Sequence, residues 1–202
     1  MASSTAESYS IEGPQGFLQA SLAIGHTDRP VIILCHPHPA YGGNFDNSVL
    51  TLIGQQLSAL DFSVLYFNFS GVGASSGQCQ DASDGAEDVR AVWEFARKNL
   101  AKPVWFAGYS FGAAALLSIK EIKIDHPLLL LAPVLSLCTP NALTEVVASD
   151  VIVGSQDQFV ETGTLIRYFG ESSVAVIEGA DHFFYGYDDL LEAQVRRWCG
   201  AT

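Results

Sequence analysis

Ser110 lies in Gly108-Tyr109-Ser110-Phe111-Gly112, between a β-branched and aromatic run that starts at Val104 and the alanines at 113–115. These flanks predict a strand, a sharp turn and a helix. Glycine is needed at both ends of the motif because a side chain at 108 or 112 would strike the neighbouring helix or strand. Ser110 would then stand exposed at a strand's carboxyl end, with the Phe111 amide pointing from a helix N-terminus toward any oxyanion formed there. An acyl-transfer nucleophile is presented in this way. A serine hydroxyl attacks poorly near neutral pH unless a base lies within hydrogen-bond reach and another group orients that base. Two later stretches offer such groups. Residues 151–157, Val-Ile-Val-Gly-Ser-Gln-Asp, leave Asp157 just past a strand, and residues 177–183, Ile-Glu-Gly-Ala-Asp-His-Phe, leave His182 in the loop after the last strand. Asp157 also has a plainer reading as a helix cap before Phe159, and His182 as a surface histidine. Asp181 and Glu178 are rival acids, but Asp181 would have to fold back onto its own neighbour, so geometry favours Asp157.

The elements between these residues must bring them together. Pro30 to Cys35 is an unbroken apolar run, the pattern of a strand covered on both faces. Ser8 to Ile24 reads as a hairpin at a sheet edge, turning around Gly13-Pro14-Gln15-Gly16. Val49, Leu50, Ile53, Leu57 and Leu60 recur at helical spacing, which predicts a helix from about Asp46 to Ala59. A buried strand at 62–69 follows. Next comes a helix over 84–100, burying Val89, Val92, Trp93, Ala96 and Leu100. Strands are expected at 104–109, 126–134, 150–154 and 174–177, with a short helix closing at Phe169 and a last one marked by Leu190, Leu191, Val195 and Trp198. Strand and helix alternate, so the sheet must be mostly parallel, and the carboxyl ends of its strands share one edge where ligands bind. Residues 135–149 are too few for a lid domain, so the site should open to solvent. Ser70 to Gly77 is expected to be a flexible loop. It imitates a dinucleotide-binding turn, but its third glycine comes one place late and no helix begins directly, which sets nucleotide-dependent oxidoreduction aside.

The 202 residues, 49% hydrophobic and 16% charged, suit one domain spanning 1–202 with a buried sheet. A formal charge of −12 opposes binding to nucleic acid or an anionic membrane. The opening residues carry neither the basic nor the apolar region of a leader, and no apolar run reaches the roughly 18 residues of a membrane helix. A soluble cytoplasmic protein is therefore expected. Cys35, Cys79, Cys138 and Cys199 lack CxxC spacing and read as reduced thiols.

Gly-Tyr-Ser-Phe-Gly, Gly-Ser-Gln-Asp and Gly-Ala-Asp-His-Phe-Phe resemble the nucleophile, acid and histidine motifs of the α/β-hydrolase superfamily, in the chain order that superfamily uses. More narrowly, residues 34–47, Leu-Cys-His-Pro-His-Pro-Ala-Tyr-Gly-Gly-Asn-Phe-Asp-Asn, and 67–77, Phe-Asn-Phe-Ser-Gly-Val-Gly-Ala-Ser-Ser-Gly, resemble a small, lidless branch of hydrolases related to dienelactone hydrolases. The resemblance covers nearly the whole chain after Asp28. It departs at Ser70, where that branch usually has arginine, and in using serine where dienelactone hydrolases proper use cysteine.

The resemblance implies a three-layer α/β fold with a mostly parallel sheet, an N-terminal antiparallel hairpin and no cap. It implies Ser110 as nucleophile, His182 as base and then acid, and Asp157 as the group that holds the imidazole tautomer. A second oxyanion donor is expected from the loop after Cys35. Pro37 and Pro39 have no amide hydrogen, which leaves His36, His38 and Ala40, and the fixed proline torsions single out His38 as partner to Phe111. A zinc reading of Cys35, His36 and His38 fails because residues two apart share a face of a strand while Cys35 points to the other. No metal or other cofactor is expected. Aromatic residues crowd the motifs, and Tyr41, Tyr109 and Phe183 are the candidates to bind substrate. The expected reaction is cleavage of a small ester through an acyl-enzyme. Thioesterase, lactonase or peptidase activity on the same residues is an alternative, as is a non-catalytic interaction module.

Overall fold

The computed structural model describes residues 6–25, 28–120, 122, 124, 126–139 and 148–201. The opening residues 1–5, on which part of the leader argument rests, lie outside the described residues, as do residues 140–147. The strands are β1 (Glu7–Gly13), β2 (Gly16–Ala23), β3 (Val31–Cys35), β4 (Ser63–Phe67), β5 (Val104–Tyr109), β6 (Leu128–Leu131), β7 (Ser149–Gly154) and β8 (Val174–Ile177). The helices are α1 (Ser48–Ala59), α2 (Ala82–Asn99), α3 (Phe111–Leu117), α4 (Thr162–Phe169) and α5 (Asp188–Trp198). One sheet runs β1-β2-β4-β3-β5-β6-β7-β8. The hairpin joins it antiparallel through β2 and β4, and every pairing from β4 to β8 is parallel.

The apolar run at 31–35 is covered on both faces because its side chains alternate between two cores. Val31, Ile33 and Cys35 pack with α2, α3 and α4, whereas Ile32 and Leu34 pack with α1 and α5. Asn47 caps α1 by accepting the Val49 and Leu50 amides, and Asp81 caps α2 through the Ser83 and Asp84 amides, so both helices begin where side-chain oxygens satisfy their first donors.

Three expectations change. The strand expected over 126–134 narrows to β6, with Ala132 at a φ of 42° just beyond its end. Leu190, expected in the apolar stripe of α5, is half exposed, and Leu191, Val195 and Trp198 form the buried face. The loop at 70–77 is braced: the Gly71 amide donates to the Ser76 carbonyl, Ser75 to Val72, and Ser76 to Phe17 on β2. Among the described residues no helix is long and apolar enough to cross a membrane.

Candidate active site

Ser110 takes φ 55° and ψ −111° between β5 and α3, a left-handed conformation that a side chain makes costly. The flanking glycines are fixed by contact. A Cβ on Gly108 would come within 2.7 Å of the Ala113 nitrogen, and one on Gly112 within 2.2 Å of the Cys35 carbonyl oxygen. Any larger residue would push α3 off the ends of β5 and β3.

His182 reaches Ser110 from the loop after β8. That loop crosses the end of β7 because Gly154 has no side chain; a Cβ there would sit 2.2 Å from the Ala180 oxygen. The two loops are joined by the Ser155 amide donating to the Ile177 carbonyl (3.0 Å), the Gln156 amide to the Ala180 carbonyl (2.9 Å) and the Gly179 amide to Ser155 Oγ (2.8 Å). His182 Nε2 consequently lies 3.0 Å from Ser110 Oγ, and its Nδ1 lies 2.7 Å from Asp157 Oδ2. The carboxylate can only accept, so Nδ1 carries the proton and Nε2 offers its lone pair to the serine hydroxyl.

Asp157 bonds to His182, and the helix-cap reading gives way to a loop brace, because α4 starts only at Thr162. Asp157 Oδ2 faces His182 while Oδ1 accepts the Phe159 and Val160 amides at 2.8 and 3.0 Å, and the Asp157 side chain is buried. Those amides hold the carboxylate plane against the imidazole. Asp181 caps its own loop through the Phe183 amide, and Glu178 is exposed.

Ser110 is only 7% exposed, against the expectation of an exposed serine; nearby, the His38 ring packs on Phe111 and the Phe159 ring on His182. Of the aromatic candidates, Tyr41 (88% exposed, ring 5.1 Å from that of His38) and Phe183 (43% exposed, 5.6 Å from that of His182) stand at the rim. Tyr109 does not. It is 2% exposed and its hydroxyl donates to the His182 carbonyl oxygen at 2.9 Å, so it supports the histidine from within the core. Burial raises its pKa far above the ordinary phenol value, which keeps that donor protonated.

The main-chain N–H groups of His38 and Phe111 meet no acceptor among the described residues, whereas Ala40 gives its N–H to His38 Nδ1. What sequence reasoning missed is the bracing role of His36. The residue is fully buried, donates from Nδ1 to the Pro37 carbonyl (2.7 Å) and accepts the Phe69 amide at Nε2 (3.0 Å). Both ring nitrogens are thereby used, leaving no lone pair for a metal, and burial lowers its pKa to about 4. The four cysteines are free thiols, each with its pKa raised chiefly by burial.

No family model matches the chain. It is 29% identical to an uncharacterised protein of Rickettsia prowazekii, over 85% of this chain and 79% of that one. A solved α/β serine hydrolase homologue from Coxiella burnetii matches with a TM-score of 0.83 and 28% identity, over 98% of this chain and 99% of that one. A solved serine hydrolase without a lid, from Xanthomonas campestris, matches with a TM-score of 0.82 and 27% identity, over 100% and 99%.

Proposed function

We propose that this lidless member of the α/β-hydrolase superfamily is a serine hydrolase that cleaves small carboxylic esters through an acyl-enzyme. The observation that carries the reading is the unbroken line from Asp157 through His182 to Ser110, with the serine held in left-handed backbone. An interaction module would have no physical use for that strain.

Ser110 Oγ forms a bond to the ester carbonyl carbon as His182 Nε2 takes its proton, and Asp157 Oδ2 stabilises the resulting imidazolium. The carbonyl π pair moves onto oxygen, where the Phe111 and His38 amides receive it. Collapse breaks the carbon–alkoxy bond, and His182 returns its proton to the departing alkoxide. Water then repeats the sequence, with His182 again the base, and releases the acid and free Ser110. Tyr41 and Phe183 border the entrance and contact the substrate as it binds. The same chemistry acts on thioesters, lactones and amides.

Rapid mixing with p-nitrophenyl acetate tests the reading. A burst of nitrophenolate equal to the enzyme concentration, followed by slower turnover, is the expected course. No acetyl group on Ser110 after acid quench and peptide mass spectrometry would refute it. Relative kcat/KM over an ester, thioester, lactone and amide series ranks the alternatives.

A further inference from the structure

A cleft of about 670 Å³ opens between the loop after β3 and the loop after β4, at the same sheet edge as Ser110. Its wall begins at Pro39, next to His38, and continues through Gly43, Asn44, Asp46, Asn47, Asn68 and Gln19. It is far larger than a water site and within the size range of small-ligand pockets.

The orientation of its carboxamides is fixed by hydrogen bonding. Gln19 Oε1 accepts from the Ala74 amide (2.9 Å) and from Asn68 Nδ2 (2.9 Å), while Asn68 Oδ1 accepts the Phe45 amide (2.9 Å). Backbone N–H groups can only donate, so neither side chain can be flipped. Gln19 Nε2 therefore points away from that network, and among the described residues it has no acceptor. Asn47 repeats the pattern. Its Oδ1 is taken by the Val49 and Leu50 amides, and its Nδ2 has no acceptor among the described residues. The arrangement leaves no room for larger neighbours: a Cβ on Gly73 would lie 2.5 Å from Gln19 Oε1 and 2.6 Å from Asn68 Nδ2.

Gln19 and Asn47, whose NH₂ groups are left uncommitted, line the cleft together with Asp46, and no lysine or arginine does. A phosphate or carboxylate ligand would meet Asp46 without a cation to offset it. A group carrying several hydroxyls suits the wall, because each hydroxyl accepts from an amide N–H and donates to a carboxylate. We propose that the cleft is a subsite for the uncharged, hydroxyl-rich part of the substrate, a glycosyl or other polyol group esterified near the scissile bond. The proposal rests on the ester-hydrolase reading for its place in catalysis but not for its binding.

Two isosteric changes reverse the donors while keeping the structural oxygens. Gln19→Glu still accepts from Ala74 and Asn68, and Asn47→Asp still caps α1. Calorimetric titration of folded Ser110→Ala protein with methyl 6-O-acetylglucoside reads binding apart from turnover. Binding that weakens about tenfold with either change supports the subsite, a size ordinary for a lost hydrogen bond. In the Ser110-intact enzyme, the ratio of kcat/KM for that sugar acetate to kcat/KM for ethyl acetate should fall by a similar factor. Absence of binding to Ser110→Ala protein, or equal binding by the isosteric variants, overturns the subsite. Binding without turnover of either ester by the intact enzyme would instead sink the hydrolase reading and leave the subsite standing.

Discussion

The loops after β3 and after β8 each bury a histidine whose two ring nitrogens are both engaged, yet the two rings are suited to opposite tasks. His36 is bonded to main-chain groups on either side, the Pro37 carbonyl and the Phe69 amide, so its proton has nowhere to go, and burial, opposed by the Pro37 bond, lowers its pKa to about 4. His182 is bonded to two side chains, the Asp157 carboxylate and the Ser110 hydroxyl, one of which can surrender a proton. Burial alone does not make a histidine a base; a partner with a movable proton does. The first loop holds the Pro37–His38 main chain still, and in the proposed reading the second passes a proton.

The largest effect that would break this contrast lies in the second loop. Ser110→Ala and His182→Gln should each lower kcat on p-nitrophenyl acetate by about 10⁶-fold with the fold intact. Asp157→Asn should cost about 10⁴-fold by presenting the wrong tautomer, checked in the same assay. In the first loop the loss should be mainly one of stability. His36→Asn leaves the buried Phe69 amide without its acceptor and should cost about 2 kcal/mol in urea unfolding at pH 7. Because the folded pKa of His36 lies below its ordinary 6.5, its contribution is complete above pH 6.5 and is lost as pH falls toward about 4. The gap between the native protein and His36→Asn should therefore narrow over that window.

Asp88 supplies the opposite slope. This carboxylate is buried on α2, accepts the Ser70 amide (2.7 Å) and hydroxyl (2.8 Å), and has its pKa raised by desolvation from 3.8 to about 6. Its favourable contribution is complete below pH 3.8 and is lost as pH rises through about 6. Asp88→Asn should gain in melting temperature over the native protein across that rise, by a few degrees at pH 7. The smallest effect should come from Tyr109→Phe, which removes the donor to the His182 carbonyl and should lower kcat about fivefold.

Most of what places Ser110 was readable in the chain, because it depends on local pattern. The apolar run at 31–35, the glycines at 108 and 112 and the alanines after them each report a steric condition within a few residues. What escaped depends on partners far away in sequence. His36 offered two possible chemistries until Phe69, 33 residues on, accounted for its second nitrogen. The Gln19 amide has no meaning without Asn68 and Ala74, 49 and 55 residues distant. Tyr109 was expected to face substrate because it adjoins the serine. However, it lies on β5, and its side chain points into the core shared with α1 and α5, beneath the histidine. Tyr41 and Phe183, each in a loop beyond a strand's carboxyl end, are exposed at that edge of the sheet.

The central claim is that His182 activates Ser110 for attack, and covalent capture tests it most directly. The native protein and its Ser110→Ala and His182→Gln variants would each be incubated with a fluorophosphonate and the adduct located by peptide mass spectrometry. Rapid labelling of the native protein at Ser110 alone, with none in Ser110→Ala and labelling slowed by orders of magnitude in His182→Gln, is the predicted result. Native, folded protein that stays unlabelled, or that labels equally fast without His182, would contradict it.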